Sequence, residues 1–322
     1  MMMSEPLITI GITAYNAQET IERAVRSAAA QDWPSTEILV VDDASTDGTC
    51  AAIESQQKDM PNVKLLRHEK NKGVAAARNT IIENAAGEFV TFFDDDDEST
   101  PDRLTRQYKR LKDYERDFAN GAPVICHTAR RQIYPDGQER IEPTMGCHEE
   151  EAAPHGQAVA QRILFGKSSG GDFGAMATCS QMARTRTYRD LGGFDASFRR
   201  SEDTDLNVRL ALAGGHFVGI ADPLVIQTMT MSNDKSLKDE EIFTLKLLEK
   251  HRDFIASKTC YPACRAWIRA KYTLLGGNKK AFAAKLLSLC LRHPVFVFQR
   301  ISRALPNLGF NIVFSRFYHG KK

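Results

Sequence analysis

Four short apolar stretches, each followed by a segment of helical periodicity, limit what this chain can fold into more than any other feature. They are LITIGIT (Leu7 to Thr13), EILVVDD (Glu37 to Asp43), VKLLR (Val63 to Arg67) and EFVTFF, which stops at Asp94. Between them lie a segment carrying Ile21, Val25 and Ala28, a second near 48–57, and GVAAARNTIIENAA, which ends at Gly87. Asn16 and Glu19 are spaced to cap the first of these helices. Strands apolar throughout are buried on both faces, and strands separated by helices pair in parallel through right-handed crossovers. The expected fold is α/β: a Rossmann-like, mostly parallel sheet with helices on both faces. Ligands of such sheets bind beyond the carboxyl ends of the strands. That rule singles out Tyr15, Asp42, Asp43 and the run Asp94 to Asp97.

Further along, the pattern predicts a helix over about 102–118, a strand PVICHT, and a hairpin turning at Pro135, Asp136 and Gly137. A polar loop covers 146–155, and an acidic loop precedes a helix over about 204–213. From Lys235 the pattern is helical, with Pro262, Pro294 and Pro306 as breaks. These signals divide the chain into a catalytic domain, 1–232, and a basic, mainly helical extension, 233–322. The net charge of +2 conceals that division: Asp253 is the last acid, 13 of the 43 Lys and Arg follow it, and the other 30 stand with all 41 acids. Seven cysteines without a CxxC pair fit a reducing cytosol rather than a disulfide scaffold. Cys260 and Cys264, four apart, read as half-buried thiols on one helix face. The amino end lacks the basic and apolar regions of a signal peptide, and no uncharged apolar run reaches the length of a membrane span.

FFDDDDES (Phe92 to Ser99) places four carboxylates at a strand end. Acid runs are usually solvated faces. Here the location argues otherwise, because two like charges 4 Å apart repel by about 1 kcal/mol in water and about 4 kcal/mol at an effective dielectric near 20. A cleft holding several carboxylates needs a cation or shifted pKa values. Hard carboxylate oxygens suit Mg²⁺ or Mn²⁺, which share their coordination with substrate phosphates. One Asp of the run can then reach the metal while another reaches a ribose hydroxyl. In VVDDASTDGT, Ser45, Thr46 and Asp47 are explained by a loop and a helix cap, whereas Asp43 at the strand end can accept the imide N–H of uracil. No GxGxxG follows an early strand, which argues against an NAD-type site.

The order ITIGITAYN, VVDDASTDGT, NKGVAAARN, FFDDDD, then LGGFD and SEDTDLNVRLALAGG resembles glycosyltransferase family 2 of the bacterial cell-envelope polysaccharide type, over about residues 6 to 230. The resemblance implies a GT-A fold and transfer of a sugar, with inversion, from a nucleotide diphosphate donor to an acceptor hydroxyl, a saccharide or a lipid-linked saccharide. It implies that Thr13, Tyr15 and Asp43 line the nucleobase pocket, that Lys72 and Arg78 lie near the donor, that Asp94 or Asp95 holds ribose, and that Asp96 binds the metal. It makes Asp203 the catalytic base, with Glu202 beside it on the acceptor side. Attack by a hydroxyl requires such a proton acceptor within reach. The plainer readings are a helix cap for Asp203, a surface helix residue for Arg78 and a core aromatic for Tyr15. One departure from the family pattern is that TMTMSND, where many members carry a metal-binding His, contains none.

Two other functions fit parts of the sequence. A sugar-phosphate nucleotidyltransferase shares fold and metal, but it opens with a Gly-rich basic loop that TAYNAQE is not. An inactive nucleotide-sugar-binding protein would keep Asp96 and Asp203 without turnover. The basic tail mixes Leu, Phe and Val with Lys and Arg, so it either attaches peripherally to an anionic membrane at the cytoplasmic face or packs on the acidic body. Nucleic acid is the poorer partner, since no aromatic-basic platform accompanies the charge.

Overall fold

A computed structural model describes residues 5–167, 174–229 and 236–304. The chain divides into two units, the first formed by 1–157 and 171–229, the second by 158–170 and 230–322. The first unit opens with the expected alternation: β1 (Ile8–Ala14), α1 (Ile21–Ala29), β2 (Thr36–Asp42), α2 (Thr49–Gln57), β3 (Val63–Arg67), α3 (Val74–Asn84) and β4 (Phe89–Asp94). It continues with β5 (Asp97–Ser99), α4 (Arg103–Asp117), β6 (Val124–Ile133), β7 (Glu139–Glu142), α5 (Gly156–Phe165, reaching into the second unit), β8 (Met182–Arg184), α6 (Thr185–Asp190), α7 (Glu202–Leu212) and β9 (His216–Thr228).

The strands form one sheet in the order β3-β2-β1-β4-β8-β6-β9-β5, with β7 paired to β6. β3, β2, β1 and β4 are parallel. β8 runs antiparallel to both β4 and β6, and β9 is parallel to β6 but antiparallel to β5. The apolar runs become buried parallel strands because both faces are covered: Ile8, Ile10, Ile12, Ile38, Val40 and Phe89 join Ile21, Val25, Leu104 and Leu111 from α1 and α4 in one core. Each such fully buried side chain contributes about 1.5–3 kcal/mol. β2 departs from β1 on one side and β4 lies on the other, so the topological switch point falls between β1 and β4. In sheets of this kind ligands bind at that point, beyond the carboxyl ends of the strands.

The structure changes three local expectations. Asn16 and Glu19 do not cap α1, whose N-terminal residue Thr20 makes no side-chain cap bond. Asn16 instead takes a left-handed conformation, and its Oδ1 accepts from the Thr46 N–H at 2.9 Å, tying the loop after β1 to the loop after β2. The strand PVICHT continues through Ile133 into the hairpin as a single element, because β9 pairs with it along that whole length. The helix expected from about 204 begins two residues earlier, at Glu202, after a left-handed Ser201.

The second unit contains α8 (Leu237–Lys250), α9 (Arg252–Lys258), α10 (Tyr261–Leu275), α11 (Lys279–Arg292) and α12 (Pro294–Ala304). Pro262 lies in the first turn of α10 and Pro294 opens α12, where a missing N–H costs nothing. Asn278 accepts from the Ala281 N–H and caps α11. Ala263, Leu289 and Val297 form a small core with Trp267 and Phe296 against it. Among the described residues, no helix is long and apolar enough to cross a membrane. The seven cysteines are free thiols. Pro306 and residues 230–235, which include the 232/233 boundary and most of TMTMSND, lie outside the described residues.

Gly87 shows how tightly β1 and the entry to β4 are seated. Its N–H donates to Thr9 Oγ1 at 3.0 Å, and a Cβ there would stand 2.6 Å from the Thr9 backbone nitrogen. Backbone cannot yield as a side-chain tip can, so Gly87→Ala should destabilise the protein by about 1–3 kcal/mol. Urea denaturation with an unchanged slope would show it, and wild-type stability would mean that the two strands part without cost.

Candidate active site

Register alone assembles the site. Thr13 lies opposite Asp94 on β4, and Ala14 lies opposite Asp42 on β2, so the loops after β1, β2 and β4 leave the sheet side by side. Tyr15, at 49% exposure, is not a core aromatic; its ring stands in the open while its N–H donates to Asp95 Oδ2 at 3.1 Å.

The adjacent acids of β2 differ in use. Asp42 is fully buried, and its carboxylate accepts from the Ser45 N–H and faces Arg67, which closes the loop. Asp43 turns towards α3. Its Oδ1 accepts from the Lys72 N–H at 2.8 Å and from His68 Nδ1 at 2.7 Å, and its Oδ2 accepts from the Gly73 N–H at 2.7 Å. The carboxylate thus satisfies donors at the start of α3 and complements the positive end of its dipole. Lys72 enters this arrangement through its backbone, and its side chain is exposed.

Arg78 is not a surface residue. It is buried on α3, and its Nη1 donates to Glu202 at 2.8 Å while Nη2 reaches Asp94 at 3.5 Å. Its guanidinium lies 5.4 Å from the centre of the Phe194 ring. Burial works against its charge, but Glu202, Asp94 and Asp203 outweigh that and hold its pKa above the ordinary arginine value. Asn79, the next residue, exchanges two hydrogen bonds with the Phe194 backbone at 2.7 and 2.8 Å. A Cβ on Gly193 would stand 2.4 Å from Asn79 Oδ1. The glycine of LGGFD is therefore required by the ARN of α3.

Asp94 to Asp97 occupy the turn from β4 into β5. Asp94, Asp95 and Asp96 are half-buried and Asp97 is buried. Burial first, then Asp96, push the Asp95 carboxyl up to about 7. Burial first, then Asp94 and Asp96, push Asp97 up to about 9. Arg23 donates to the Asp96 carbonyl at 2.8 Å. Beneath the turn, Arg103 is fully buried and hydrogen-bonded to Ser99, Thr91, the Phe92 carbonyl and Gln107; burial pulls its pKa down to about 10. Arg130 lies 4.0 Å from the Cys179 thiol and donates to Gln227. Neither arginine was legible as a site residue, because each is far from the acid run in sequence or merely one cation on a charged helix.

Glu202 and Asp203 open α7 directly after Ser201, whose φ is 64°. Burial, then Asp203, push the Glu202 carboxyl up against the pull of Arg78. Asp203 Oδ1 accepts from the Thr204 N–H at 2.6 Å and so satisfies one free N–H of the first turn, although the N-cap position belongs to Ser201, whose side chain makes no cap bond. A carboxylate has two oxygens, and capping through one is compatible with proton abstraction through the other. Among the described residues, the non-glycine positions with positive φ are Asn16, Ala44, Asn120 and Ser201. Three of them directly follow Tyr15, follow Asp43 or precede Glu202, the kind of strain that collects at functional sites.

A divalent ion suits the acidic turn. Asp97 Oδ1 is buried with no N–H or O–H donor against it among the described residues, and burial, reinforced by the neighbouring acids, raises the Asp95 and Asp97 carboxyls, an effect that a bound cation would oppose. Ligand atoms of Asp94, Asp97 and Cys179 lie within 4.8 Å of one another. The two carboxylates match a hard ion. The thiol does not: burial raises its pKa above the ordinary value, and a neutral thiol is a poor ligand for Mg²⁺ or Mn²⁺. Asp97 belonged to the run from which a metal ligand was expected, whereas Cys179 was given no role from the sequence; it is brought in by the turn (Thr178–Ser180) that precedes β8.

The fold and this acid-lined switch point are those of a GT-A glycosyltransferase. In its structure the chain resembles residues 1–349 of Staphylococcus aureus TarS in complex with UDP-GlcNAc, with a TM-score of 0.57 and 17% identity over 93% of this chain and 91% of that one. It also resembles the mannosyltransferase PcManGT of Pyrobaculum calidifontis in complex with GDP-Man and Mn²⁺, with a TM-score of 0.54 and 18% identity over 94% and 87%. Residues 9–180 match the profile of Glycosyl transferase family 2, and the chain belongs to that family. It is 38% identical over 154 residues to the putative teichuronic acid biosynthesis glycosyltransferase TuaG of Bacillus subtilis, covering 44% of this chain and 60% of that protein. It is 35% identical over 117 residues to the GalNAc(5)-diNAcBac-PP-undecaprenol beta-1,3-glucosyltransferase of Campylobacter jejuni, covering 36% and 38%. The matched stretch thus spans less than two thirds of either curated relative.

Removing Arg78 tests the site's construction. Arg78→Met keeps the bulk but leaves Glu202 and Asp94 without their buried cation, a loss worth about 3–5 kcal/mol. The melting temperature should fall and sugar transfer should be lost. Unchanged stability would mean that the two carboxylates are not held through this residue.

Proposed function

We propose that the chain is an inverting glycosyltransferase that uses a nucleotide-diphosphate sugar, with a UDP-sugar favoured, and glycosylates a hydroxyl of a saccharide or lipid-linked saccharide in envelope polysaccharide synthesis. The observation that carries the reading is the Arg78 ion chain, which brings Glu202 and Asp203 to the same edge as Asp94. The names of the Bacillus and Campylobacter relatives and the UDP-GlcNAc bound to TarS support the substrate classes. An acceptor on a lipid carrier also suits a protein that works at the cytoplasmic face of a membrane.

In this reading Thr13, Tyr15 and Asp43 line the nucleobase pocket, with the exposed Tyr15 ring against the base. Asp43 also seats α3, so it positions the pocket as well as facing the base. Lys72 stands at the donor side, and Asp94 or Asp95 takes ribose hydroxyls. Arg78 acts as a positioning residue for Glu202 and Asp94 from its place near the donor. Asp96, with Asp94 and Asp97 in the same turn, would hold Mg²⁺ or Mn²⁺. When bound, such an ion neutralises charge developing on the departing diphosphate, so that no general acid is needed.

Asp203 accepts the proton of the acceptor hydroxyl. The oxygen attacks the anomeric carbon from the face opposite the diphosphate, the bond to the diphosphate breaks, and its electron pair leaves with the nucleoside diphosphate. One displacement inverts the configuration. Glu202, held by Arg78, keeps the start of α7 in place and borders the acceptor.

Asp203→Asn should abolish transfer, by about 10²-fold or more, while donor binding measured by calorimetry stays close to wild type. Full transfer by the asparagine variant would remove this mechanism. Nucleoside diphosphate release across UDP, GDP and dTDP sugars identifies the donor, and release of pyrophosphate instead would make the protein a nucleotidyltransferase.

Because the Asp95 and Asp97 carboxyls are pushed up to about 7 and about 9, protons compete with a divalent ion below those values. The Mn²⁺ concentration needed for half-maximal thermal stabilisation should therefore fall as the pH rises from about 6 to about 8. Asp96→Ala should weaken it at both values. A pH-independent midpoint would place the ion away from this turn.

A further inference from the structure

The second unit carries an apolar surface that its own core does not use. Leu287, Leu291, Val295, Phe298 and Ile301 are 62%, 78%, 68%, 75% and 38% exposed. They follow one another at three- and four-residue steps, so they line one face of α11 and, across the break at Pro294, one face of α12. On α11 the opposite face holds Leu289 in the unit's core; on α12 Val297 lies in that core, one turn from Ile301, the least exposed of the five, so the exposed side of α12 is centred on Val295 and Phe298. Exposed large apolar residues in a continuous stripe mark an interaction surface rather than ordinary scatter.

The two helices that carry it hold charges of one sign. Lys279, Lys280, Lys285 and Arg292 are exposed along α11, and no acidic residue occurs anywhere after Asp253. Two copies meeting through this face would bring two basic borders together. An apolar strip on two helices that carry cations and no acids instead complements a layer that is hydrocarbon inside and anionic at its surface.

We infer that the Leu287–Ile301 stripe of α11 and α12 is a membrane-docking face that inserts into the surface of an anionic bilayer. The inference gives the peripheral attachment proposed above a specific set of residues, and it does not depend on the sugar chemistry. The side chains enter the interfacial layer while Lys279, Lys280 and Arg292 meet lipid phosphates. The helices lie in the plane of the surface and do not cross it.

The test uses the full chain and flotation with vesicles of phosphatidylcholine alone or with about 30% phosphatidylglycerol at low salt. Wild type should float with the anionic vesicles and not with the neutral ones. Leu291→Asp combined with Phe298→Asp should lower the bound fraction about tenfold or more, and Lys279→Gln, Lys280→Gln and Arg292→Gln together should do the same. Should the aspartate pair fail to fold, Leu291→Ala with Phe298→Ala should reduce binding in the same direction.

Wild type remaining with soluble protein would overturn the inference, as would an aspartate pair that floats normally. A wild-type dimer that the aspartate pair dissociates, without vesicle binding, would assign the face to a second copy. A large fall in melting temperature of the alanine pair, again without vesicle binding, would assign it to packing within the chain. Nucleoside diphosphate release measured on the same preparations separates this question from the catalytic reading: lost flotation with retained turnover leaves that reading intact.

Discussion

One buried guanidinium sets the geometry on which the site depends. Arg78 lies between the acidic turn after β4 and the acidic start of α7, segments more than a hundred residues apart in sequence. Removing such a charge from water is costly unless it is paired and hydrogen-bonded. The cost is met only when Asp94 and Glu202 both approach, so the same energy that keeps Arg78 charged keeps the two carboxylates together. Neighbouring residues of α3 make the remaining attachments: Lys72 and Gly73 hold Asp43 by their N–H groups, and Asn79 holds the backbone of Phe194. Because the helix is rigid, with a rise near 1.5 Å per residue, it spaces these groups.

The acidic turn has a related problem on a smaller scale. Four adjacent carboxylates repel one another, and Arg23, Arg78, Arg103 and Arg130 approach the turn from separate elements. Their compensation is incomplete, as the raised Asp95 and Asp97 carboxyls record. A turn fully neutralised by arginine would be more stable and would have no affinity for a further cation. In the reading proposed above, a bound ion supplies the positive charge that the arginines leave lacking, and that ion is what draws a diphosphate to the edge.

How much of this was readable in advance follows from which interactions are local. The β1 to β4 alternation was plain because the strands are buried on both faces and their apolar runs are uninterrupted. Asp43, Asp94 and Asp203 stood out as candidates in the sequence because they lie at a strand end or a helix start. Arg78 was expected near the donor from the family pattern, and its burial could not be seen, since its partners come from β4 and α7. The role of Asn16 was misjudged for the same reason: its amide satisfies a backbone N–H in another loop, not the helix that follows it. Asp97 and Cys179 meet only after the antiparallel half of the sheet has formed, and nothing in either local sequence announces the encounter. The basic, acid-free tail was legible as composition, whereas the division of α11 and α12 into a core face and an exposed face required the packing.

The strained residues bear on whether such an edge only binds a nucleotide sugar or also turns it over. A left-handed conformation costs a non-glycine residue about 1–2 kcal/mol, and Ala44 and Ser201 have no side-chain amide to ease it as asparagine has. Ala44 directs the loop that follows Asp43, the side assigned to the nucleobase in the proposed reading, where binding alone would justify the expense. Ser201 does not adjoin that pocket in sequence or by any bond to it; it turns the chain so that Glu202 meets Arg78 and Asp203 stands at the first turn of α7. A binding protein gains little by holding a second carboxylate pair on strained backbone through a buried ion pair. In the reading proposed above, a transferase needs a proton acceptor fixed beside the donor before the acceptor arrives, and Asp203 at the start of α7 would meet that need.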